Sequence, residues 1–482
     1  MNAFFDTAAV LALCYFAALN AAYATLTVLS MRRLRRYVAR VSSLYADELV
    51  NSTSGLPISL LVPAYNEEAT IIGAIRSFLG LKYPEYEIVV VNDGSTDATL
   101  ERLLDAYELI PAVRTPTSSL DTAEVHAVYR SRIHPSLWVI DKENGGKADA
   151  LNAAINHARN PLVCALDADT LLEEDALIRI ARPFLEDHRT VAAGGIVRIV
   201  NGSEVEGGAV TATHFPRRMA ARFQVVEYFR AFLAGRVGWD SVGANLIISG
   251  AFGVFRRAAV AEIGGYATDT VGEDMELVVR IHRHFREERR PYRVVFIPDP
   301  VAWTEAPVKW SDLGRQRDRW QRGLAQTLVR HRRMLLNPRY GTPGMLAFPY
   351  FTIFELAGPV FEAAGYITFL LAIATGHASA LYITAFLALS IFLGSALSLA
   401  AIALEEASFR RYASRRDLVR MLVVGLIETF GYRQLNTWWR LRGLYSAMRH
   451  NQTWGVMTRR GFGEGAVAGS ADAETAGNLR SA

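Results

Sequence analysis

Several things are scarce in this chain of 482 residues. It has only two cysteines, Cys14 in an apolar run and Cys164 in a strand-like run. That excludes a disulfide framework and fits a reducing compartment for the soluble part. No cysteine or histidine spacing matches a structural zinc site. The formal net charge is only +4, so bulk charge offers no argument for a nucleic-acid partner. No internal repeat is visible. The only charge ahead of the first apolar run is Asp6, so a retained anchor is expected rather than a cleavable signal, which would carry basic residues there.

Apolar residues, by contrast, are abundant. They make up 51% of the chain and mean hydropathy is +0.13, high for a wholly soluble protein. The length exceeds one compact core, so two or more units are expected. Residues 8–30, "AAVLALCYFAALNAAYATLTVLS", carry no charge, and at about 1.5 Å per residue they cross a bilayer core. "MRRLRRYVAR" follows at once. The positive-inside bias then expects a retained anchor, its basic flank cytoplasmic and its N-terminus outside. Two further apolar runs, 348–374 and 378–404, form an expected hairpin, and "EEASFRRYASRRDLVR" returns to a basic flank. Residues 418–441 are interrupted by Glu428, Arg433, Gln434 and Asn436; they either span beside a polar path or lie at the interface. The small, polar end, 464–482, is expected to be disordered.

Residues 57–300 follow another plan. "ISLLVPAY", "YEIVVVNDG", "LWVIDKENGG" and "PLVCALDADT" are short Val- and Ile-rich runs ending in turn residues. Helical patterns such as "EATIIGAIRSFLGL" and "ATLERLLDAYEL" lie between them. This alternation predicts an α/β unit with a mostly parallel sheet covered on both faces. Ligands of such sheets sit beyond the carboxyl ends of the strands, where Asn66, Glu67, Asn92, Asp93, Asp141, Asp167 and Asp169 fall. Residues 111–135 read as a loop-rich insertion. Residues 301–345 are basic and aromatic with helical spacing, which fits either a helix in the membrane interface or a solvated surface helix.

Four motifs could carry chemistry. In "CALDADT", two acids one residue apart at the end of a buried strand offer hard oxygens for Mg2+ or Mn2+ with substrate phosphates; a plain acidic turn has the same pattern. In "VVVNDGSTD", Asp93 can accept from a nucleoside, while Ser95, Thr96 and Asp97 cap the next helix. In "DKENGGKADALN", the two glycines allow close approach of a ligand. Lys147 then starts a helix, where an anion is favoured. In "GEDMELVVRIH", Glu273 and Asp274 open a helix, as acids commonly do for dipole reasons.

Taken together and in order, "VPAYNEE", "VVNDGSTD", "GGKADALN", "DAD", "SGAFGVFRR", "GED" and "QRDRW" resemble the membrane-bound family 2 glycosyltransferases. That group includes hyaluronan, cellulose, chitin-oligosaccharide and poly-N-acetylglucosamine synthases. The likeness covers residues 57–323. It implies a GT-A-type nucleotide-sugar-binding domain at 51–300, after an anchor and basic linker at 1–50. Amphipathic interface helices at 301–345 and membrane or interface helices at 346–463 would follow. By the resemblance, Ala64, Tyr65, Asn66, Glu67 and Asp93 hold the uridine end, Lys147 and Asp167 lie along the nucleotide-sugar, and Asp169 holds the metal. Asp274 is the base. Gln316, Arg319 and Trp320 serve the diphosphate and acceptor entrance, with Ser249 and Gly250 near the acceptor.

The activity so implied is an inverting, metal-dependent transfer from a UDP-sugar, N-acetylglucosamine before glucose, to a growing β-linked polysaccharide. The setting would be the inner (plasma) membrane, multi-pass, with the catalytic domain cytoplasmic. Single transfer to a membrane lipid is the alternative within the fold, and an inactive membrane scaffold is the alternative outside it. Self-association or a partner subunit could complete an export path. No built-in cyclic-dinucleotide module is expected, because no barrel-sized domain follows "RRYASRR".

Overall fold

A computed structural model describes residues 2–41, 55–409, 411–412 and 414–449. The expected disordered tail and residues 42–50 of the linker lie outside these residues. The N-terminal run forms one 40-residue helix, Asn2–Val41, about 60 Å long. Its far end enters the soluble unit, where Leu34 is buried in the main core.

Twelve strands follow among the described residues. β1 is Ile58–Ala64, β2 Tyr86–Asp93, β3 Leu109–Pro111, β4 Val125–Ser131, β5 Leu137–Lys142 and β6 Leu162–Leu166. β7 is Thr170–Leu172, β8 Thr190–Ile199, β9 Glu204–Glu206, β10 Ala209–Ala212, β11 Phe252–Arg256 and β12 Arg293–Thr304. Ten form one sheet in the order β3-β4-β5-β2-β1-β6-β11-β8-β12-β7, and β9 and β10 make a separate hairpin. The block β5-β2-β1-β6 is parallel, so the ends of the motif-bearing strands share one edge. β11 runs antiparallel to β6, which brings its start to the same edge.

The period of two sorts the strand residues between faces. Leu60, Val62, Ile88 and Val90 join a core with Ile75 and Phe78 of the helix Ile71–Leu79. Leu61, Val89 and Val91 join another with Leu151 and Ile155 of the helix Lys147–His157, and Leu277 and Ile281 of the helix Glu273–Glu287.

Three expectations change. The 111–135 insertion contains β4, an edge-side strand antiparallel to β5. Its sequence, VHAVYRS, is mostly half-buried, so it lacks the apolar run of a central strand. The loop before it is anchored by the buried Arg114, 2.6 Å from Glu87 and 4.4 Å from the Trp138 ring centre. Next, residues 301–304 continue β12, and buried Trp303 donates to Glu173 at 2.8 Å. Finally, the helix Trp310–Arg330 is not a solvated surface helix: Gln316, Arg317, Asp318, Gln321 and Arg322 are buried. Ion pairs permit this, with Arg317 on Glu227 at 2.6 Å and Arg322 on Asp318 at 2.9 Å.

Two helices among the described residues are long and apolar enough to cross a membrane, Asp6–Val38 and Ala380–Ser408. Pro343–Leu356 and Gly358–Ala374 make a third if counted together across a 44° bend. The ambiguous 418–441 stretch divides into helices Arg415–Ile427 and Tyr432–Met448, with Gly431 at φ 89° between them. The first has 13 residues, about 20 Å, short of a bilayer core of about 30 Å. Glu428 is buried against Arg230 and Arg433, which ties the break to the soluble unit.

Candidate active site

The turn Asn144–Gly146 is shaped around Asp93. Its carboxylate accepts from the N–H groups of Gly145 (3.0 Å) and Gly146 (2.8 Å) and pairs with buried Lys142 at 2.7 Å. Gly146 has φ 88°, a conformation that suits glycine. Asp93 is thus turned inward and organises the loop ahead of Lys147. Opposite lies the Tyr65–Glu67 turn. Asn66, at φ 55°, accepts from Thr96 N–H at 2.8 Å, and Glu67 N–H donates to Thr99 at 2.9 Å. Tyr65 stays exposed and Ala64 is buried at the strand end.

Lys147 joins the pieces. Its ammonium lies 2.5 Å from Asp167 and 3.3 Å from Glu273. Burial alone would push this amine down, but Asp167 and Glu273 outweigh it and hold it above the ordinary lysine range. Burial pushes the Glu273 carboxyl up; Lys147 opposes this and Asp274 adds to it. Asp274 accepts from Gly250 N–H at 3.1 Å and from its neighbour Met275 N–H at 2.8 Å. A Cβ on Gly250 would come within 2.9 Å of the Lys147 ammonium, so a larger residue there would displace the lysine from its place between Asp167 and Glu273. Arg319 is half-buried; burial lowers it, while Glu273, Asp167 and Asp274 act against that. Gln316 is buried, and Trp320 is 45% exposed with Arg317 4.2 Å from its ring centre. Ser249 accepts from Phe252 N–H through its carbonyl at 3.1 Å, closing the turn before β11.

Asp167, Lys147, Glu273, Asp274, Gly250 and Arg319 therefore share one cleft. Asp93 reaches it through the turn that ends at Lys147. Asp169 is buried just past β6, beside Asp167. Two further groups were invisible in the motifs. Arg236, 4.0 Å over the Phe232 ring, is pushed down to about 10 by burial, with Asp274 holding against it. Tyr266 is held through its backbone by Asn152 (2.7 and 2.9 Å), and burial, then Glu273 and Asp274, push its hydroxyl up. Neither stands in a motif with a chemical reason of its own, so no sequence signal marked them.

The donor set can be tested against a divalent cation. Among the described residues no three His, Cys, Asp or Glu side chains cluster as an all-protein cage. Asp167 and Asp169 present hard oxygens at a strand end. That fits an ion completed by ligand phosphates rather than by protein alone.

A mostly parallel sheet with these acids beyond its strand ends defines the class: a GT-A-like α/β fold with helices apolar enough to span a membrane. The model of glycosyltransferase like family 2 matches residues 56–323, more than half of the chain, and the protein belongs to that family. The chain is 29% identical over 300 residues to the poly-beta-1,6-N-acetyl-D-glucosamine synthase of Staphylococcus aureus (strain COL), covering 62% of this chain and 60% of that one. The synthase of Staphylococcus epidermidis is 29% identical over 273 residues, 57% and 56% of the two chains. The chain thus spans about 60% of the length of the curated relatives it matches. Among solved structures, a mannosyltransferase from Pyrobaculum calidifontis, in complex with GDP-Man and Mn2+, aligns with TM-score 0.50 and 20% identity. It covers 86% of this chain and 99% of that one; at that identity the likeness speaks for the fold.

Proposed function

We propose that the protein is a membrane-bound inverting hexosyltransferase. It would move a sugar from a UDP-sugar, with UDP-N-acetylglucosamine the proposed donor, onto a growing β-linked polysaccharide. The observation that carries this reading is the convergence of Asp167, Lys147, Glu273 and Asp274 at the carboxyl edge of the sheet. The matched synthases favour the donor and the polymer over a single-transfer reaction. The proposed setting is the cytoplasmic face of the membrane, with the N-terminus outside and several helices crossing.

In this reading Asp274 takes the proton of the acceptor hydroxyl. The hydroxyl oxygen bonds to the anomeric carbon as the bond to the diphosphate breaks, and UDP leaves from the opposite face. The Gly250 and Met275 N–H groups orient the Asp274 carboxylate. Lys147 and Arg319 face the departing diphosphate, and a fixed cation there stabilises charge as it develops. Arg319 can do so with two donors at once. Trp320 offers its half-exposed ring to the acceptor sugar. Asp167 and Asp169 would hold Mg2+ or Mn2+, which when bound neutralises the diphosphate.

Purified protein in lipid, given UDP-N-acetylglucosamine, should release UDP and yield a ladder of products. Chelation should abolish release and added Mn2+ or Mg2+ restore it. Asp274→Asn should lower kcat about 10²–10⁴-fold while donor binding holds. A single-sugar lipid product would reject the polymerase reading, and no UDP release with any of a panel of UDP-sugars would reject the enzyme.

A further inference from the structure

A second cavity lies away from the carboxylate cleft. It measures about 390 Å³ and lies where the first helix meets the soluble unit. Arg33 and Arg36 of that helix, Arg179 and Arg182 of the helix Ala176–Glu186, and Arg293 at the start of β12 line it, over a floor of Phe296. Against these five guanidinium groups stand two lining carboxylates, Glu186 and Asp187. Thr190 and Arg293 begin β8 and β12, which run parallel. The cavity therefore sits at the opposite end of the sheet from the motif-bearing edge.

Four of the arginines are held in place. Arg33 pairs with Asp240 at 3.1 Å, Arg179 with Asp175 at 2.5 Å, Arg182 with Glu186 at 2.7 Å and Arg293 with Asp187 at 3.0 Å. Arg36 is exposed and, among the described residues, has no carboxylate within ion-pair distance. With these four paired, and with Asp299 held by the Tyr37 hydroxyl near Arg179 and Arg182, Arg36 is the lining cation that, among the described residues, is left for an outside anion.

Its depth identifies the ligand. Arg36 comes six residues after Ser30, the last of the uncharged run, about 9 Å along the helix. The polar zone of a bilayer adds about 5–8 Å on each side of its hydrocarbon core, so the Arg36 backbone lies just past it, and a long basic side chain leaving the helix toward its N-terminus reaches back into it. Val38, two residues further on, is apolar and still 42% exposed, so the outer face of the helix suits the interface at this level. Phosphate oxygens match guanidinium geometry, and basic pockets beside membrane helices favour anionic headgroups.

We propose that this cavity binds the phosphate headgroup of an anionic phospholipid from the leaflet on the catalytic side. The lipid bridges the first helix to the β8–β12 end of the sheet and fixes the tilt of the soluble unit against the bilayer. The site is independent of the donor cleft and of the reaction assigned to it.

Delipidated full-length protein in detergent is titrated with phosphatidylglycerol or phosphatidylcholine, and bound lipid is counted by native mass spectrometry. Phosphatidylglycerol should occupy one tight site that phosphatidylcholine does not. Arg36→Gln should weaken it about 5-fold, since each arginine near the surface contributes about 1 kcal/mol. Adding Arg293→Gln should bring the loss to about 25-fold; its partner Asp187 keeps Arg189 at 2.8 Å, so the fold is spared. Equal binding of the two lipids, or an unchanged preference in both variants, overturns the proposal. So does displacement of phosphatidylglycerol by inorganic phosphate at equal concentration, which would assign the cavity to a soluble phosphate compound.

Discussion

Glu273 and Lys147 offer the sharpest test of how the cleft works. The ammonium is shared between Asp167 at 2.5 Å and Glu273 at 3.3 Å, and the Glu273 side chain is only 6% exposed. At 3.3 Å, unit charges attract by about 5 kcal/mol for an effective dielectric near 20. Desolvation and the competing Asp167 cancel much of this, so a coupling of about 1–3 kcal/mol is expected. Lys147→Met removes the cation and leaves Glu273 buried beside Asp274. We expect kcat/KM for the donor to fall about 10–100-fold, as for a lost charge-assisted hydrogen bond. Glu273→Gln should fall by a similar or smaller factor, mainly through KM, because Lys147 loses one of its two anchors. The double variant should be little worse than Lys147→Met alone. UDP release measured against donor concentration in all four proteins closes the cycle. Costs that add to within about 0.5 kcal/mol would show that the two residues act independently. A collapse of kcat in Glu273→Gln, with Asp274→Asn nearly active, would reverse the roles assigned to the two acids.

Gly272 and Gly323 meet backbone to backbone: a Cβ on Gly323 would sit 2.7 Å from Gly272 Cα. Gly323→Ala should push the Trp310–Arg330 helix away from the start of Glu273–Glu287 at a cost of about 1–3 kcal/mol. It should lower kcat/KM at least about 10-fold; wild-type activity would refute the close fit. His282 is buried, its ring nitrogens 2.9 Å from the Asn245 carbonyl and 2.7 Å from the Tyr292 hydroxyl. Burial pushes it down to about 4, the Asn245 carbonyl opposes this, and Arg286 adds to it. The unfolded chain protonates near pH 6.5, so this contribution is intact above that pH. It is lost as pH falls towards 4, by up to about 3 kcal/mol. Thermal melts from pH 7 to 5 should flatten in His282→Gln, and an unchanged slope would reject the assignment.

Central strands could be read from the sequence because burial on both faces demands an unbroken apolar run, as in "IVVV" of β2. β4 could not, because VHAVYRS is half-wet and mixes polar residues with apolar ones. The acids at strand ends stood out in the sequence because each closes a buried apolar run, although a plain acidic turn has the same pattern. The inward turn of Asp93 was not legible, because it depends on where Lys142, Gly145 and Gly146 bring their donors. The basic segment after 301 misled in the same way, since its charges are buried by partners as distant as Glu227 and Arg442.

The alternation of the central strands with helices, the apolar helices and the acids of the motifs were determined by sequence alone, because hydrophobic period and turn chemistry act over a few neighbours. Tertiary structure decided which carboxylates share Lys147, which arginine of the basic cavity has no carboxylate partner among the described residues, and where 418–441 breaks. Those outcomes depend on distances between groups far apart in the chain, as with Lys147 and Glu273, 126 positions apart (273 − 147) yet 3.3 Å between charged atoms. Charge–charge energies follow spatial separation and burial, which only the folded chain supplies.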